Sequence, residues 1–271
     1  MLKLNPVELK RIWGYELWIA STHPNGRQED FAQKCHSYPL LVKIIQADDI
    51  LSVQVHPDDE SAVKYEGDGF CGKTECWYVL DAEPDAKIVY GLNQEISEEE
   101  IKKAIDENHL EQYLNFVNVK KGDFIFIPSK TIHAVGKGLR LLEIQQSCDL
   151  TYRLYDWGRG REVHLEKALK VLNYKKMPVI KQFSQSFECE YFSLEQINVK
   201  GGWSMYCSGD AGNPEDVQLL YVLSEDKAVI RTSEEKIGQK ILAEEIYAVK
   251  PGEKITVEGR ASIMRIRAKK D

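Results

Sequence analysis

Seven short apolar segments follow one another between residues 39 and 157 and constrain the fold more than any other feature of the chain. They are rich in Val, Ile, Phe and Tyr and are bounded by Gly, Pro, Asn or Asp, which is typical of β-strands separated by turns. A series of short strands of this kind predicts a β-sandwich or a β-barrel. The segments are PLLVKII (39–45), ILSVQV (50–55), ECWYVLD (75–81), AKIVYGL (86–92), DFIFIP (123–128), LRLLEIQQ (139–146) and LTYRLYDW (150–157).

Two helical patterns interrupt the strands. Ser97 and Glu100 form a capping box, and apolar residues at roughly helical spacing follow them, so a helical insertion is predicted at about residues 97–115. VHLEKALKVLNY (163–174) predicts a second helix, MPVIKQF (177–183) a linker, and strand-like segments resume at about Phe183. We therefore expect a mainly β protein with a first domain at 1–162, a helix and linker at 163–182, and a smaller β domain at 183–271.

The charge of the chain argues against a nucleic-acid partner. The 271 residues include 36 Lys and Arg and 43 Asp and Glu, a net charge of −7, whereas affinity for a phosphate backbone needs a basic surface. A small phosphorylated ligand needs only a local basic pocket. The N-terminal residues lack the apolar core of a signal peptide, and no segment approaches the roughly 20 apolar residues of a membrane span, so we expect a cytoplasmic protein without membrane partners.

The cysteines and histidines indicate where chemistry is concentrated. The six cysteines form no C-x-x-C pair, so neither a zinc ribbon nor a redox motif is indicated, and reduced thiols are expected in a chain of this length. None of the six histidines lies in the last hundred residues. Chemistry that uses histidine therefore belongs to the first domain.

The segment LSVQVHPDDE (51–60) alternates between apolar and polar residues. Leu51, Val53 and Val55 would form one face of a strand, while Gln54 and His56 would lie together on the other. A lone His on such a face is more often solvated or hydrogen bonded than functional. The interpretation of His56 therefore depends on whether other ligand residues accompany it.

Two further segments supply such residues. Glu75 lies within the apolar strand of GKTECWY (72–78), and burying a carboxylate is costly unless it is paired or bound to a metal. His133 follows a strand end in IPSKTIHAVGKG (127–138). Each has an ordinary explanation on its own, since Glu75 could be exposed or paired with Lys73 and a His beside a turn means little.

Together, Gln54, His56, Glu75 and His133 come from three strand-like segments of one inferred barrel, where inward-facing side chains converge. Two imidazoles, a carboxylate and an amide oxygen would accept zinc, iron(II), manganese or cobalt. Such a metal would keep positions for water or substrate oxygens, as a catalytic site requires.

A charged segment follows the last predicted strands. Glu143 interrupts the apolar run LRLLEIQQ, and Arg153, Arg159 and Arg161 lie within nine residues of each other. Arginine binds phosphate through bidentate, charge-assisted hydrogen bonds, so the cluster suggests a phosphorylated substrate. The ordinary alternative is that these arginines are solvated or paired with Asp149 and Asp156.

Five separated strings, LSVQVHPDD, GKTECWY, IHAVGKG, the Glu of LLEIQQ and the D-x-x-x-R-LYDWGR segment, closely resemble class I mannose-6-phosphate isomerases (phosphomannose isomerases) of the short bacterial form. The resemblance covers most of the first two thirds of the chain. It implies a double cupin, two jelly-roll-like β-barrels with a helical insertion, and one zinc ion per chain in the first barrel. The implied metal ligands are Gln54, His56, Glu75 and His133.

The resemblance also implies an activity and roles for the pocket. The reaction would interconvert mannose 6-phosphate and fructose 6-phosphate by moving a proton between C2 and C1 through an enediol-like intermediate. Arg153 matches the active-site arginine of the family, and Glu143 or Lys73 would act as base or acid, with a metal-bound water as an alternative base. Ser52 and Asp149 match residues that line the pocket.

The chain departs from the family pattern at two points. RIWGYELW (11–18) stands where relatives often have W-G-G and a longer insertion, and Arg159 stands where longer eukaryotic relatives carry a lysine. Arg159 keeps the positive charge needed for phosphate but leaves its contact open.

Other classes of protein remain possible on this sequence. An iron(II) cupin oxygenase would use two histidines and a carboxylate, although Gln54 and the arginine-rich segment argue against it. A non-catalytic cupin that binds a sugar phosphate is the second alternative, and partner contacts through the C-terminal domain would be compatible with isomerase activity.

Overall fold

The computed structural model describes residues 1–178 and 183–269. Within them the chain is mainly β, and no helix is long and apolar enough to cross a membrane. The strands are β1 (Leu2–Lys3), β2 (Val7–Arg11), β3 (Gly14–Ala20), β4 (Leu40–Ala47), β5 (Val53–Val55), β6 (Glu75–Ala82), β7 (Lys87–Leu92), β8 (Leu114–Asn118), β9 (Phe124–Ile127), β10 (His133–Val135), β11 (Leu139–Gln146), β12 (Tyr152–Tyr155), β13 (Ser186–Glu188), β14 (Phe192–Tyr206), β15 (Gln218–Thr232), β16 (Gln239–Lys240), β17 (Ile246–Val249) and β18 (Lys254–Ala268). The α-helices are α1 (Glu29–Cys35), α2 (Asp59–Glu66), α3 (Glu98–Asp106) and α4 (Leu165–Val171), and short 3₁₀ turns occupy Pro24–Gly26, Leu110–Tyr113 and Pro214–Asp216.

The chain divides into two compact units, each discontinuous in sequence. The terminal unit comprises Met1–Val7, Trp18–Leu41 and Phe183–Asp271, and the central unit comprises Glu8–Leu17 and Val42–Gln182. This division differs from the predicted continuous domain at 1–162, because N-terminal residues belong with C-terminal strands: β1 pairs with β17. Pairing between residues so distant in sequence leaves no local signal. Residues 179–182 of the predicted linker lie outside the described residues.

The central unit contains two sheets that share an apolar core. Strand order is β12-β5-β10-β7-β8 in one sheet and β2-β3-β4-β11-β6-β9 in the other. Trp77 and Leu141 from the second sheet pack in one cluster with Ile88 and Val135 from the first. These are buried side chains from strands of two facing sheets, so the polar residues that share this interior must be paired or ligated.

The two faces of β5 meet different surroundings. Val53 and Val55 are fully buried and pack in a second cluster with Ile101 of α3 and Leu169 of α4. The prediction that Leu51 shares this face was wrong, because the strand begins only at Val53 and Leu51 packs in the core cluster of Trp77 instead. The apolar face of β5 is thus covered by helices, which leaves Gln54 on the opposite face.

The predicted helical insertion is confirmed by α3 and the 3₁₀ turn that follows it. The Ser97 hydroxyl accepts a hydrogen bond from the Glu100 N–H at 3.3 Å, and the Glu100 carboxylate accepts one from the Ser97 N–H at 3.0 Å. Helix α4 lies inside the second predicted helix, whereas α1 and α2 were not predicted. The Asp58 side chain caps α2 by accepting a hydrogen bond from the Ser61 N–H.

The terminal unit is a seven-stranded sheet ordered β1-β17-β15-β18-β14-β13, with β16 paired to β15. Its three long strands, β14, β15 and β18, each contain 15 residues. The strand-like segments DVQLLYVLS (216–224) and KAVIRT (227–232) fall in one strand, β15. Register shifts against β18 between Val222 and Ser224 and between Asp226 and Val229 disturb its alternation without ending it.

Candidate metal centre and active site

Three ligand residues from different strands meet in the interior of the central unit. His56, Glu75 and His133 are buried, and their ligand atoms all lie within 4.8 Å of one another. The distance from Nε2 of His133 to Oε1 of Glu75 is 3.3 Å, and that from Nε2 of His56 to Oε2 of Glu75 is 3.7 Å. The fold therefore brings together three of the four residues predicted as metal ligands.

Backbone carbonyl groups fix the orientation of both imidazole rings. Nδ1 of His56 donates to the Leu150 carbonyl oxygen at 2.9 Å, and Nδ1 of His133 donates to the Thr131 carbonyl oxygen at 2.8 Å. A proton on Nδ1 leaves Nε2 with a free lone pair in the neutral ring. Carbonyl partners of this kind are the usual second contacts of histidines that bind metals.

Gln54, the fourth predicted ligand, lies beside His133. The two residues are Cα partners across β5 and β10, and Nε2 of Gln54 is 3.3 Å from Nε2 of His133. The oxygen and nitrogen of an amide side chain are nearly indistinguishable in shape, so rotation of the terminal group would offer the oxygen to a metal. The position of Gln54 is therefore compatible with its predicted role.

The charges at this cluster fit a bound cation. Oε1 of Glu75 is buried without a hydrogen-bond partner, because the atom that faces it, Nε2 of His133, carries a lone pair rather than a proton. Burial lowers the pKa of His56 and lowers that of His133 to about 4, so both rings are neutral, the state that binds metal. The Lys73 ammonium already contacts Glu75 and lies 3.1 Å from Nε2 of His56, which shows that these atoms attract positive charge.

Burial also acts on Glu75. Together with the neighbouring charge of Glu143 it raises the pKa of Glu75 to about 7, against the opposite effect of Lys73. A carboxylate with a pKa near 7 is only partly ionised at neutral pH. A divalent ion bound beside it would favour the ionised form. The donor set of two imidazoles and one carboxylate thus fits a zinc-type metal.

Glu143 lies at the centre of a second buried network. Its Oε1 is 3.0 Å from the Lys43 ammonium and 3.5 Å from that of Lys73, and its Oε2 accepts a hydrogen bond from Trp77 Nε1 at 2.9 Å. Burial would raise the pKa of Glu143, but the two lysines and Trp77 outweigh it and lower the value to about 2. Glu143 is therefore an ionised carboxylate at neutral pH.

The comparisons with known proteins agree with this site. A family model described as phosphomannose isomerase type I, catalytic domain, matches residues 18–69. The chain is 41% identical over 206 residues to mannose-6-phosphate isomerase ManA of Bacillus subtilis, a match that covers 70% of this chain and 63% of the relative. It is also 33% identical over 254 residues to the probable mannose-6-phosphate isomerase GmuF of the same organism, covering 74% of this chain and 80% of the relative. The chain belongs to the mannose-6-phosphate isomerase family.

A solved structure extends the relationship to the whole fold. The chain is similar to the crystal structure of mannose 6-phosphate isomerase from Bacillus subtilis, with a TM-score of 0.82, 25% identity and 98% of both chains covered. The expected fold class, a mainly β cupin-type protein, is thereby confirmed. The chain spans only 63% of the length of ManA in the sequence comparison.

Within this member of the isomerase family, Arg153 lies beside Gln54, the fourth predicted ligand. It is the Cα partner of Gln54 across β12 and β5, so both side chains project to the same face. Its NH1 group donates to the Glu162 carbonyl oxygen at 2.6 Å, while its Nε is buried and has no hydrogen-bond partner. A half-buried arginine that keeps one buried donor free in this position suits an anionic ligand.

The other predicted pocket residues have different surroundings. Ser52 is buried just before β5, and Asp149 is exposed in the turn after β11. The guanidinium of Arg159 donates to the carbonyl oxygens of Asp156 and Ile50 and to the Asp156 carboxylate. The ordinary alternative, pairing with Asp156, therefore describes Arg159 in this structure, because two of its donor groups bond to Asp156 and a third bonds to Ile50.

Lys43 was missed by the sequence analysis. It lies in β4, is buried, and contacts both Glu143 and, at 3.7 Å, Glu16. The signal was present, because a lysine interrupts the apolar segment PLLVKII in the same way that Glu75 interrupts its strand. Arg161, noted only for its charge, forms a bidentate pair with Asp156 at 2.6 and 2.8 Å.

Proposed function

We propose that this protein is a metal-dependent aldose-ketose isomerase that interconverts mannose 6-phosphate and fructose 6-phosphate. The observation that carries the proposal is the buried cluster of His56, Glu75 and His133, with an ionised Glu143 beside it, in a chain of the mannose-6-phosphate isomerase family. The relatives named above are described as isomerases of this sugar phosphate. The residue chemistry supports the same reaction independently.

His56, Glu75, His133 and Gln54 would hold one zinc ion, for which two imidazoles and a carboxylate are suitable ligands. When bound, such an ion supplies a Lewis acid that polarises the C1 and C2 oxygens of the sugar. Glu75 contributes the only carboxylate of the cluster, and its oxygen without a donor is the atom that gains most from ligation.

Proton transfer between C1 and C2 requires a group that accepts a proton and returns it. Glu143 is ionised and can accept, and the Lys73 ammonium, 3.5 Å from it, can donate. The contacts that keep Glu143 ionised also weaken it as a base, because proton affinity falls with pKa. We therefore assign the transfer to Glu143 and Lys73 as a pair, with Lys43 holding the carboxylate in position.

Arg153 would bind the phosphate group of the sugar. Its free Nε and its place beside Gln54 support this role, and holding the phosphate would fix the distance between the reacting carbons and Glu143. Ser52 and Asp149 would contact the sugar. Arg159 would support the pocket rather than contact the phosphate. Its hydrogen bonds to Asp156 and Ile50 link the segment after β12 to the segment before β5.

The test is a coupled assay that follows formation of fructose 6-phosphate from mannose 6-phosphate, before and after chelation and with zinc added back. We expect conversion that disappears with the chelator and returns with zinc. Unchanged conversion after complete metal removal would refute the metal dependence, and no conversion by the zinc-loaded protein would refute the isomerase assignment.

The same preparation separates the two alternatives. A non-catalytic cupin would bind the sugar phosphate, measured by calorimetry, without converting it. An iron(II) oxygenase would consume oxygen when loaded with iron and would be inactive with zinc. Gln54, which lies beside His133, argues against the oxygenase, because a fourth protein ligand would leave fewer open positions for oxygen and a co-substrate.

A further inference from the structure

Two cysteines from separate segments meet beside the candidate active site. Cys71 precedes β6 and Cys148 follows β11. The Cys148 thiol donates a hydrogen bond to the Cys71 carbonyl oxygen at 3.1 Å, and the Cys71 thiol contacts the Ser147 carbonyl oxygen at 3.9 Å. Each thiol therefore lies against the backbone of the segment that carries the other.

The two segments are held together by further hydrogen bonds. The Gln146 N–H donates to the Thr74 carbonyl oxygen at 3.2 Å, and the Thr74 N–H donates to the Gln146 side chain at 2.8 Å. These bonds close the ends of β6 and β11 onto each other. Cys71 and Cys148 thus remain neighbours without any rearrangement of the sheet.

The thiols differ in reactivity and access. A hydrogen bond from Cys71 lowers the pKa of Cys148 and raises that of Cys71, and the Leu150 N–H donates to the Cys148 sulfur at 3.3 Å. A lowered pKa favours the thiolate, which is the nucleophile in thiol oxidation. Cys71 is partly exposed, and Cys148 retains 5% of its surface, enough for a small oxidant rather than a protein partner.

We propose that Cys71 and Cys148 form a reversible disulfide in the presence of a peroxide and that this bond inactivates the adjacent site. The Cys148 thiolate attacks one oxygen of hydrogen peroxide and breaks the O–O bond, giving a sulfenic acid and, after proton uptake, one water. The Cys71 sulfur then attacks the sulfenic sulfur, the S–O bond breaks, and a second water leaves. Two thiols are oxidised and one peroxide is reduced to two waters.

The disulfide would act on the metal cluster through both segments. Leu150 donates its N–H to the Cys148 sulfur and accepts the Nδ1 proton of His56 on its carbonyl oxygen. The S–S bond would draw the Cys148 sulfur toward Cys71, so oxidation would disturb the contact that positions Leu150 and, through it, His56. On the other segment Lys73 follows Cys71 by two residues and contacts Glu75 and Glu143.

The experiment treats purified, zinc-loaded protein with hydrogen peroxide and maps its peptides by mass spectrometry without reduction. We expect a peptide pair joined through Cys71 and Cys148, and a loss of about tenfold in zinc affinity and in kcat/KM, the lower end of the effect of disturbing a partner of a metal-binding histidine. Dithiothreitol should restore both. Zinc affinity is measured by competition with a chelating dye, which requires no catalytic activity.

Cys71→Ser and Cys148→Ser should keep their zinc affinity and activity in peroxide. Cys189→Ser is the matched control, because Cys189 is also partly exposed but belongs to the terminal unit, and this variant should be inactivated like the original protein. Absence of the linked peptide pair would overturn the proposal, and so would a linked protein with unchanged zinc affinity and activity. Failure of the isomerase assay in the reduced protein would concern the proposed function alone, because the linkage and zinc affinity are measured independently.

Discussion

At the level of single residues, Glu75 makes the interior of the central unit suitable for a metal ion. One of its oxygens has no hydrogen-bond donor although the side chain is fully buried, and both neighbouring histidines offer lone pairs rather than protons. A buried acceptor without a partner costs about 1–3 kcal/mol. A cation at this point would remove that cost, whereas a water molecule would satisfy only part of the set.

Removing one imidazole tests the ligand assignment. We expect His56→Ala to lose bound zinc and isomerase activity together, because the substitution removes one of the two imidazole ligands that would hold the ion beside Glu75. Metal content per chain and turnover are measured on the same sample. His109→Ala is the control, since His109 is exposed in the 3₁₀ region after α3 and should change neither quantity. A His56→Ala variant with full zinc occupancy would contradict the assignment.

Removing one negative charge tests the proton transfer. Glu143→Gln keeps the size of the side chain and its contact with Trp77 but cannot accept a proton, so turnover should fall by about 10²–10⁴. Zinc content should be unchanged, because Glu143 is bonded to lysines and Trp77 rather than grouped with the ligand atoms. If turnover stays at the original level, Glu143 is not the base.

At the level of elements, the strands of the central unit were predictable and their partners were not. All seven predicted segments between residues 39 and 157 contain a strand, because β-branched and aromatic residues between turn residues are a local property. Four strands of its two sheets were missed: β2 and β3, which precede residue 39, and the short strands β8 and β10, of which β10 has only three residues. The partners of each strand depend on long-range pairing, which alternation alone cannot specify.

The capping box of α3 has a measurable effect on stability. Ser97→Ala removes the acceptor for the Glu100 N–H and should lower the free energy of unfolding by about 1 kcal/mol. Urea denaturation followed by circular dichroism measures the change. Lys102→Ala alters an exposed position of the same helix outside the cap and should change stability by less than about 0.5 kcal/mol. Equal effects of the two substitutions would contradict a specific role of the cap.

The turn after β12 should make folding sensitive to acid. Burial would raise the pKa of Asp156, but hydrogen bonds and charges from Arg161 and Arg159 outweigh it, so the pKa lies below its ordinary value of 3.8. A depressed pKa in the folded state contributes stability that is complete above the unfolded value and is lost as the pH falls through the folded one.

Asp156→Asn removes this contribution at every pH. We expect the difference in unfolding free energy between the original protein and the variant to be constant from pH 7 to about 5 and to shrink below about pH 4. Denaturant titrations at a series of pH values measure it, with Asp149→Asn, an exposed position in the same region, as the comparison. A difference that grows as the pH falls would contradict the inferred shift.

At the level of the whole molecule, metal binding should stabilise the fold. The proposed ligands come from β5 and the residue that follows it, from the start of β6 and from the start of β10, which are held together only in the folded chain, so zinc would bind the native state preferentially. Free zinc at a hundred times its dissociation constant should add about 2.7 kcal/mol to the unfolding free energy. Thermal unfolding with and without chelator measures the effect, and His133→Ala should abolish it. The same gain in that variant would place the zinc elsewhere.

Local sequence was enough to predict the strand-rich composition, the segments around the site and the residues proposed as its ligands. Each depends on neighbours along the chain: alternation in LSVQVH, a carboxylate within an apolar strand, and a histidine beside a turn. The contact of Lys43 with Glu143, the contact of Arg159 with Ile50 and the meeting of Cys71 with Cys148 became visible only in the folded structure. The physical reason is distance, because the charge, burial and hydrogen bonding of these groups are set by partners that only the folded sheets bring within a few ångströms.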